Sequence, residues 1–154
     1  MKNAEIRPFL EAAKEIKIHK FEDKDTKNTF IDDHFACLDA GKKLDEKVEN
    51  MKKVFIESYK DEEQAVSDLQ TKINEATTRE EQISLSKELR ENHKEYLEAF
   101  KEFNENVNKL YDEEVKGVKK LDREKVMEEL KKQDIKLSWV EALYPLFNLA
   151  EEEK

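Results

Sequence analysis

His34-x-x-Cys37, with Asp32 and Asp33 beside it, is the one place in the chain where metal-ligating side-chain types crowd together. A spacing of three puts His34 and Cys37 on one face of a helix, so a shared ion is geometrically allowed. Chemistry at such an ion needs more, because a structural zinc takes four ligands and a catalytic one at least three. The chain has no Cys-x-x-Cys, His-Glu-x-x-His or Glu-x-x-His to complete the set. Cys37 is more economically read as a small core residue, leaving His34 and Cys37 as the metal candidates of a metal-binding alternative.

His93 is the second titratable group placed where it could act. It falls on an apolar helical seam, and a helical hairpin would set it opposite Glu62. Such a pair fixes register or senses pH. Di-iron chemistry would need carboxylates and Glu-x-x-His motifs turned inward from four helices, whereas the glutamates here lie mostly off the seam. Nucleophilic catalysis lacks any Gly-x-Ser-x-Gly turn, and two glycines cannot build a phosphate-cradling loop. The expectation is a non-enzyme with no cofactor.

Of the 154 residues, 37% are hydrophobic and 44% charged, with two Gly and two Pro. Long amphipathic helices suit this balance, because a thin apolar seam needs few core residues and few turns. A net charge of −9 disfavours direct nucleic-acid binding, which depends on Lys and Arg neutralising phosphates. A single cysteine suggests a reducing compartment. The charged start lacks an apolar signal core, and no apolar run approaches the roughly 20 residues that span a bilayer. A cytoplasmic protein that avoids membranes is expected.

Residues 3–16 read as a short helix capped by Asn3, with Ile6, Phe9, Leu10 and Ala13 on its apolar face. Residues 16–21 alternate in character and suggest one short strand. Asp25-Thr26 opens a long helix whose seam runs through Phe30, Cys37, Leu44, Met51, Phe55, Tyr59, Val66 and Ile73. Asp61 with Gln64 could form a capping box there, but Tyr59, Val66 and Leu69 stay nearly in phase, which favours a continuous helix. Thr78 with Glu81 marks a turn and the start of a second long helix running to about Glu114.

A tight turn at Thr77-Thr78 sets Phe55 against Phe100, Tyr59 against Tyr96, Val48 near Val107 and Val66 near Leu89. Apolar meets apolar at every pair. The fold expected is therefore all-α: a long antiparallel helical hairpin over 26–115, in one domain spanning 1–154. The second helix ends opposite Ala40-Gly41, leaving Ile31, Phe35, Leu38 and Ala40 as an extra apolar stripe to be covered. Segments 1–25 and 116–150 should form a compact head there, with 151–154 a frayed tail. Residues 115–121 suit a minor two-stranded β pairing with 16–21. Asp122 and Ser138, the latter with Glu141, are expected to cap two further helices, and Pro145 should stop the last near Tyr144.

Leu110-Tyr-Asp-Glu-Glu-Val115, Leu121-Asp122, Lys136-Leu137-Ser138 and Leu143-Tyr-Pro-Leu146 follow one another in an order that resembles small helical proteins of unknown function encoded by phages and prophages. The motifs cover the last 45 or so residues, and residues 61–95 look like an addition to the pattern. The resemblance implies a phage setting, with the host cell cytoplasm as the location, and no chemistry.

Trp139, Leu143, Tyr144 and Phe147 form the densest apolar group outside the hairpin. They either close the head or offer aromatic anchors to a partner, which makes them the partner-binding candidates. The function expected is a non-enzymatic protein–protein interaction or assembly protein whose protein partner is not named by the sequence. Self-association into a homo-oligomer is expected too, because two helices bury little area per residue. The alternative is an acidic inhibitor or regulator of a host nucleic-acid-processing enzyme, its carboxylate rows lying where DNA would go.

Overall fold

The computed structural model of the chain describes residues 1–148, so the tail 151–154 lies outside the described residues. The protein is all-α. Its helices are α1 (Ile6–Glu15), α2 (Lys24–Ser58), α3 (Lys60–Glu75), α4 (Arg79–Asn92), α5 (Lys94–Asp112), α6 (Arg123–Lys131) and α7 (Leu137–Leu143). Single 3-10 turns cover Asn3–Glu5, Ile18–Lys20 and Tyr144–Leu146. The chain divides into two compact units, residues 1–45 with 110–154 and residues 46–109.

The first unit holds one apolar core. Phe9, Phe30, Leu121, Val126, Leu130, Leu143, Leu146 and Phe147 are sealed from solvent there. The Phe30 ring lies 5.5 Å from Phe9 and 5.8 Å from Phe21, drawing α1, the following turn and α2 together. α1 also packs against α7. Polar groups fix the chain paths around this core. Glu129 is buried on α6, and its carboxylate accepts the N–H groups of Glu22 and Asp23 just before α2. Asp23 then caps α2, accepting from the N–H and hydroxyl of Thr26 at 2.9 and 2.6 Å. The cap is thus two residues earlier than the expected Asp25-Thr26 start.

No strand forms among the described residues, and the suggested pairing of 16–21 with 115–121 is absent. Gln133 explains why: its side chain accepts the Lys17 N–H at 2.8 Å and donates to the Lys17 carbonyl at 2.9 Å. With that backbone occupied, Ile18–Lys20 winds into a 3-10 turn. The other segment is held at its two ends instead. Val115 N–H donates to the Met1 carbonyl and Asn3 N–H to the Glu113 carbonyl, while Leu121 exchanges bonds with Leu146 and Asn148. Gly117, at φ 82°, turns the chain between these anchors, in the left-handed region that glycine enters without strain.

A later helix start also differs from expectation. α7 begins at Leu137, so Ser138 sits inside its first turn, and Lys136 occupies the cap position with its ammonium on Glu15 at 2.8 Å. Asp122 does cap α6 through the Lys125 N–H, and Pro145 falls in the 3-10 turn that ends α7. The extra stripe on α2 is covered only in part: Phe35 is 67% exposed and Leu38 45%, while Ile31 is half-buried and Ala40 packs against the core. Phe9 of α1, Met1 and Lys119 meet Phe30, Cys37 and Asp33, on a different side of the helix.

In the second unit, the helix expected to be continuous through Asp61 breaks at Tyr59, whose backbone (φ −128°, ψ 27°) leaves the helical region. Asp61, Glu62 and Glu63 then fall in the first turn of α3, where the helix dipole favours them. Gln64 bonds Asp68 one turn on, so no Asp61–Gln64 box forms. A matching interruption occurs at His93 (φ −123°, ψ 28°) between α4 and α5. Hydrogen bonds still cross both breaks, from Glu63 to Tyr59 and from Leu97 to His93. Thr78 caps α4 by accepting the Glu81 N–H at 3.2 Å. The rings of Phe55 and Phe100 lie 5.9 Å apart and those of Tyr59 and Tyr96 5.8 Å, so α2 and α5 run antiparallel within this unit.

Candidate functional site

Helix α2 carries Asp32, Asp33, His34 and Cys37 within two turns, and its phase separates them. Asp33 and Cys37, four apart, share the buried face, because both follow Phe30 along the seam. Asp32 points the other way and pairs with the Lys119 ammonium at 2.8 Å. His34 is half-buried, its ring 6.4 Å from Phe9 and 6.3 Å from Phe35.

The Cys37 sulfur is sealed 3.5 Å from the Met1 sulfur. Burial, with the Asp33 carboxyl adding to it, pushes the thiol up to about 12. A thiol held protonated is a poor nucleophile and a poor metal ligand at neutral pH. No group of three or more His, Cys, Asp and Glu side chains among the described residues is placed to hold a metal ion. The chemistry open to this turn of α2 is therefore acid–base.

That chemistry centres on Asp33, which sequence reasoning treated only as a neighbour of the His34-x-x-Cys37 pair. Its side chain is fully buried. One oxygen accepts the Lys119 N–H at 2.6 Å, and the other has no hydrogen-bond partner. Burial raises the carboxyl to about 6; the Asp32 charge adds to this, while the Lys119 N–H and the ammonium groups of Lys119 and Lys120 oppose it. A signal was present, since position 33 lies three residues after Phe30 and four before Cys37, on the line of the seam. Through its bond from the Lys119 N–H, Asp33 bears on how the 116–121 segment is held.

The aromatic candidates divide. Trp139, Leu143 and Phe147 are buried in the core of the first unit, while Tyr144 is 52% exposed. Trp139 also donates its indole N–H to Glu15 at 2.9 Å. That bond and the bond from Lys136 hold the Glu15 carboxyl below the usual carboxylate range. Sequence reasoning missed Glu15, whose role depends on α1 meeting α7.

Two apolar surfaces remain. Phe35 and Leu38 stand exposed on one strip of α2 with Ile31 half-buried before them, at the i, i+4, i+7 spacing of a helix-borne anchor set. In the second unit, Met51, Val54, Phe55, Ala99 and Phe103 line a groove of about 430 Å³ between α2 and α5. His93, at the α4–α5 break, has its Nδ1 2.6 Å from Glu62 on α3. No helix among the described residues is long and apolar enough to cross a membrane. No protein-family model, curated protein or solved structure matches the chain.

Proposed function

We propose that this protein is a non-enzymatic interaction and assembly protein that works by presenting helix faces to a protein partner. The observation that carries this reading is the exposed Phe35–Leu38 strip of α2. The first unit has a complete core of its own, yet it leaves a phenylalanine 67% exposed at the centre of an apolar helical stripe. Burying a large apolar side chain of this kind is worth about 1.5–3 kcal/mol, which a partner gains and a free chain forgoes. The phage or prophage setting suggested by the ending of the chain belongs to the same proposal.

The test places a photo-crosslinking phenylalanine at position 35 and, as a control, at exposed Arg7 on α1. Irradiation in the source cell should give discrete protein adducts at 35 and few at 7. Equal labelling at the two positions would overturn the reading.

A further inference from the structure

We infer that the groove between α2 and α5 in the second unit is closed by the same groove of a second copy, paired about a two-fold axis at the level of Val54 and Glu102. Residues 46–109 bury only Val66, Leu69 and Tyr96, while Val54 is 64% exposed on the groove. Two helices cannot enclose an aromatic row such as Phe55, Tyr59 and Phe103. Four helices can, and a bundle of two helix pairs is a standard way to do so. The inference goes beyond the proposal for Phe35, since it concerns another surface and another occupant.

Charge spacing identifies that occupant. Lys47 lies seven residues before Val54 on α2, and Asp61 seven after it in the first turn of α3, past the Tyr59 break that the Glu63 N–H to Tyr59 carbonyl bond still spans. On α5, Glu95 and Lys109 flank Glu102 in the same way. The α2–α3 run and α5 thus each carry opposite charges equidistant in sequence from a midpoint. A two-fold axis through the midpoint brings each charge onto its opposite in the second copy.

The two midpoints also fall at one level. Phe55 touches both Phe100 and Phe103, at 5.9 and 5.0 Å, so the residue before it on α2 lies level with Glu102 on antiparallel α5. The groove lining is centred there as well, running from Asn50 to Tyr59 on one side and from Ala99 to Asn106 on the other. One axis therefore satisfies the shape of the groove and both charge patterns, as an interface between identical copies requires. Its one unfavourable contact is Glu102 against the second copy's Glu102.

Sedimentation equilibrium of the full chain should give twice its 18.3 kDa mass. Val54→Glu should yield a monomer with unchanged helical circular dichroism. Lys47→Glu and Asp61→Lys, made singly, should each weaken the dimer about three- to tenfold, since each sets like charges at two symmetric sites. The double variant K47E/D61K should return to within about twofold of the parent, and Glu102→Gln should tighten association about threefold. A monomeric parent chain would overturn the inference. So would a dimer indifferent to Val54→Glu, or a double variant as weak as the singles.

Discussion

The two units of this chain differ in how they use apolar residues. Residues 1–45 and 110–148 gather short helices and turns from both ends of the chain around Phe9, Phe30, Leu121, Leu143 and Phe147, all sealed from water. Residues 46–109 hold a longer, more regular apolar pattern and bury far less of it. Regular periodicity and a full core are therefore separate properties. A heptad-like seam specifies which face of a helix is apolar, but it encloses that face only when enough helices are present. The irregular unit is closed because its segments arrive from several directions and each polar path is held by a specific side chain, as Gln133 holds Lys17 and Glu129 holds the entry to α2.

The sharpest way to break this comparison is to truncate one aromatic in each unit. Phe30 is fully buried between the Phe9 and Phe21 rings. Phe30→Ala should cost about 3–5 kcal/mol, combining lost transfer energy with an unfilled cavity. Phe100 touches the Phe55 and Tyr96 rings but is 43% exposed, so Phe100→Ala should cost about 1 kcal/mol. Urea denaturation of both variants checks the ratio. Equal losses would mean that the second unit is as enclosed as the first.

Asp33 tests the closed unit from the polar side. The unfolded carboxyl ionises near 3.8 and the folded one near about 6. Between these values the folded chain keeps a proton that the unfolded chain has released, so stability falls as pH rises through the window. Above it the burial cost is complete, on the order of 3 kcal/mol. Glu15 and Asp23, both lowered on folding, act in the opposite sense and lose their contribution as pH falls, so the contribution of Asp33 must be read as a difference. Asp33→Asn should be more stable than the parent by about 2 kcal/mol at about pH 8, its unpaired amide taking back part of the gain. The gap should shrink as the pH approaches the unfolded value. A gap that stays constant with pH would show that Asp33 holds no proton in the folded chain.

Much of the helix content was legible in the sequence, and the reason is local. Thr78 and Asp122 cap because their side chains reach their own helix N–H groups, and Pro145 stops α7 because of its own ring. What was illegible depended on residues far apart in the chain. The strand suggested at 16–21 is cancelled by Gln133, more than a hundred residues later. The cap at Ser138 is displaced because Lys136 is committed to Glu15. The candidate site shows the same division. Asp33 lies on the Phe30–Cys37 line and its burial could have been read from spacing alone, whereas its hydrogen bond to Lys119 could not. The expected cover over Phe35 and Leu38 failed because Phe9, Met1 and Lys119 meet the Phe30–Asp33–Cys37 face of α2 instead.

The smallest effect belongs to the open unit, and its smallness is the point. Glu62 and His93 make the one side-chain pair expected across α3 and the α4–α5 break, with Nδ1 2.6 Å from the carboxylate. By distance alone this would rank among the strongest polar contacts in the chain. The Glu62 side chain is nevertheless 47% exposed, so water competes for the carboxylate and salt screens the pair. A double-mutant cycle of Glu62→Ala and His93→Ala should give a coupling of about 0.5 kcal/mol that declines as salt is added. A coupling above about 2 kcal/mol, insensitive to salt, would place the pair in a desolvated interior and make the second unit a closed core like the first. The short bond would then be a consequence of enclosure, whereas a weak, screened coupling leaves it as a register mark on an open seam.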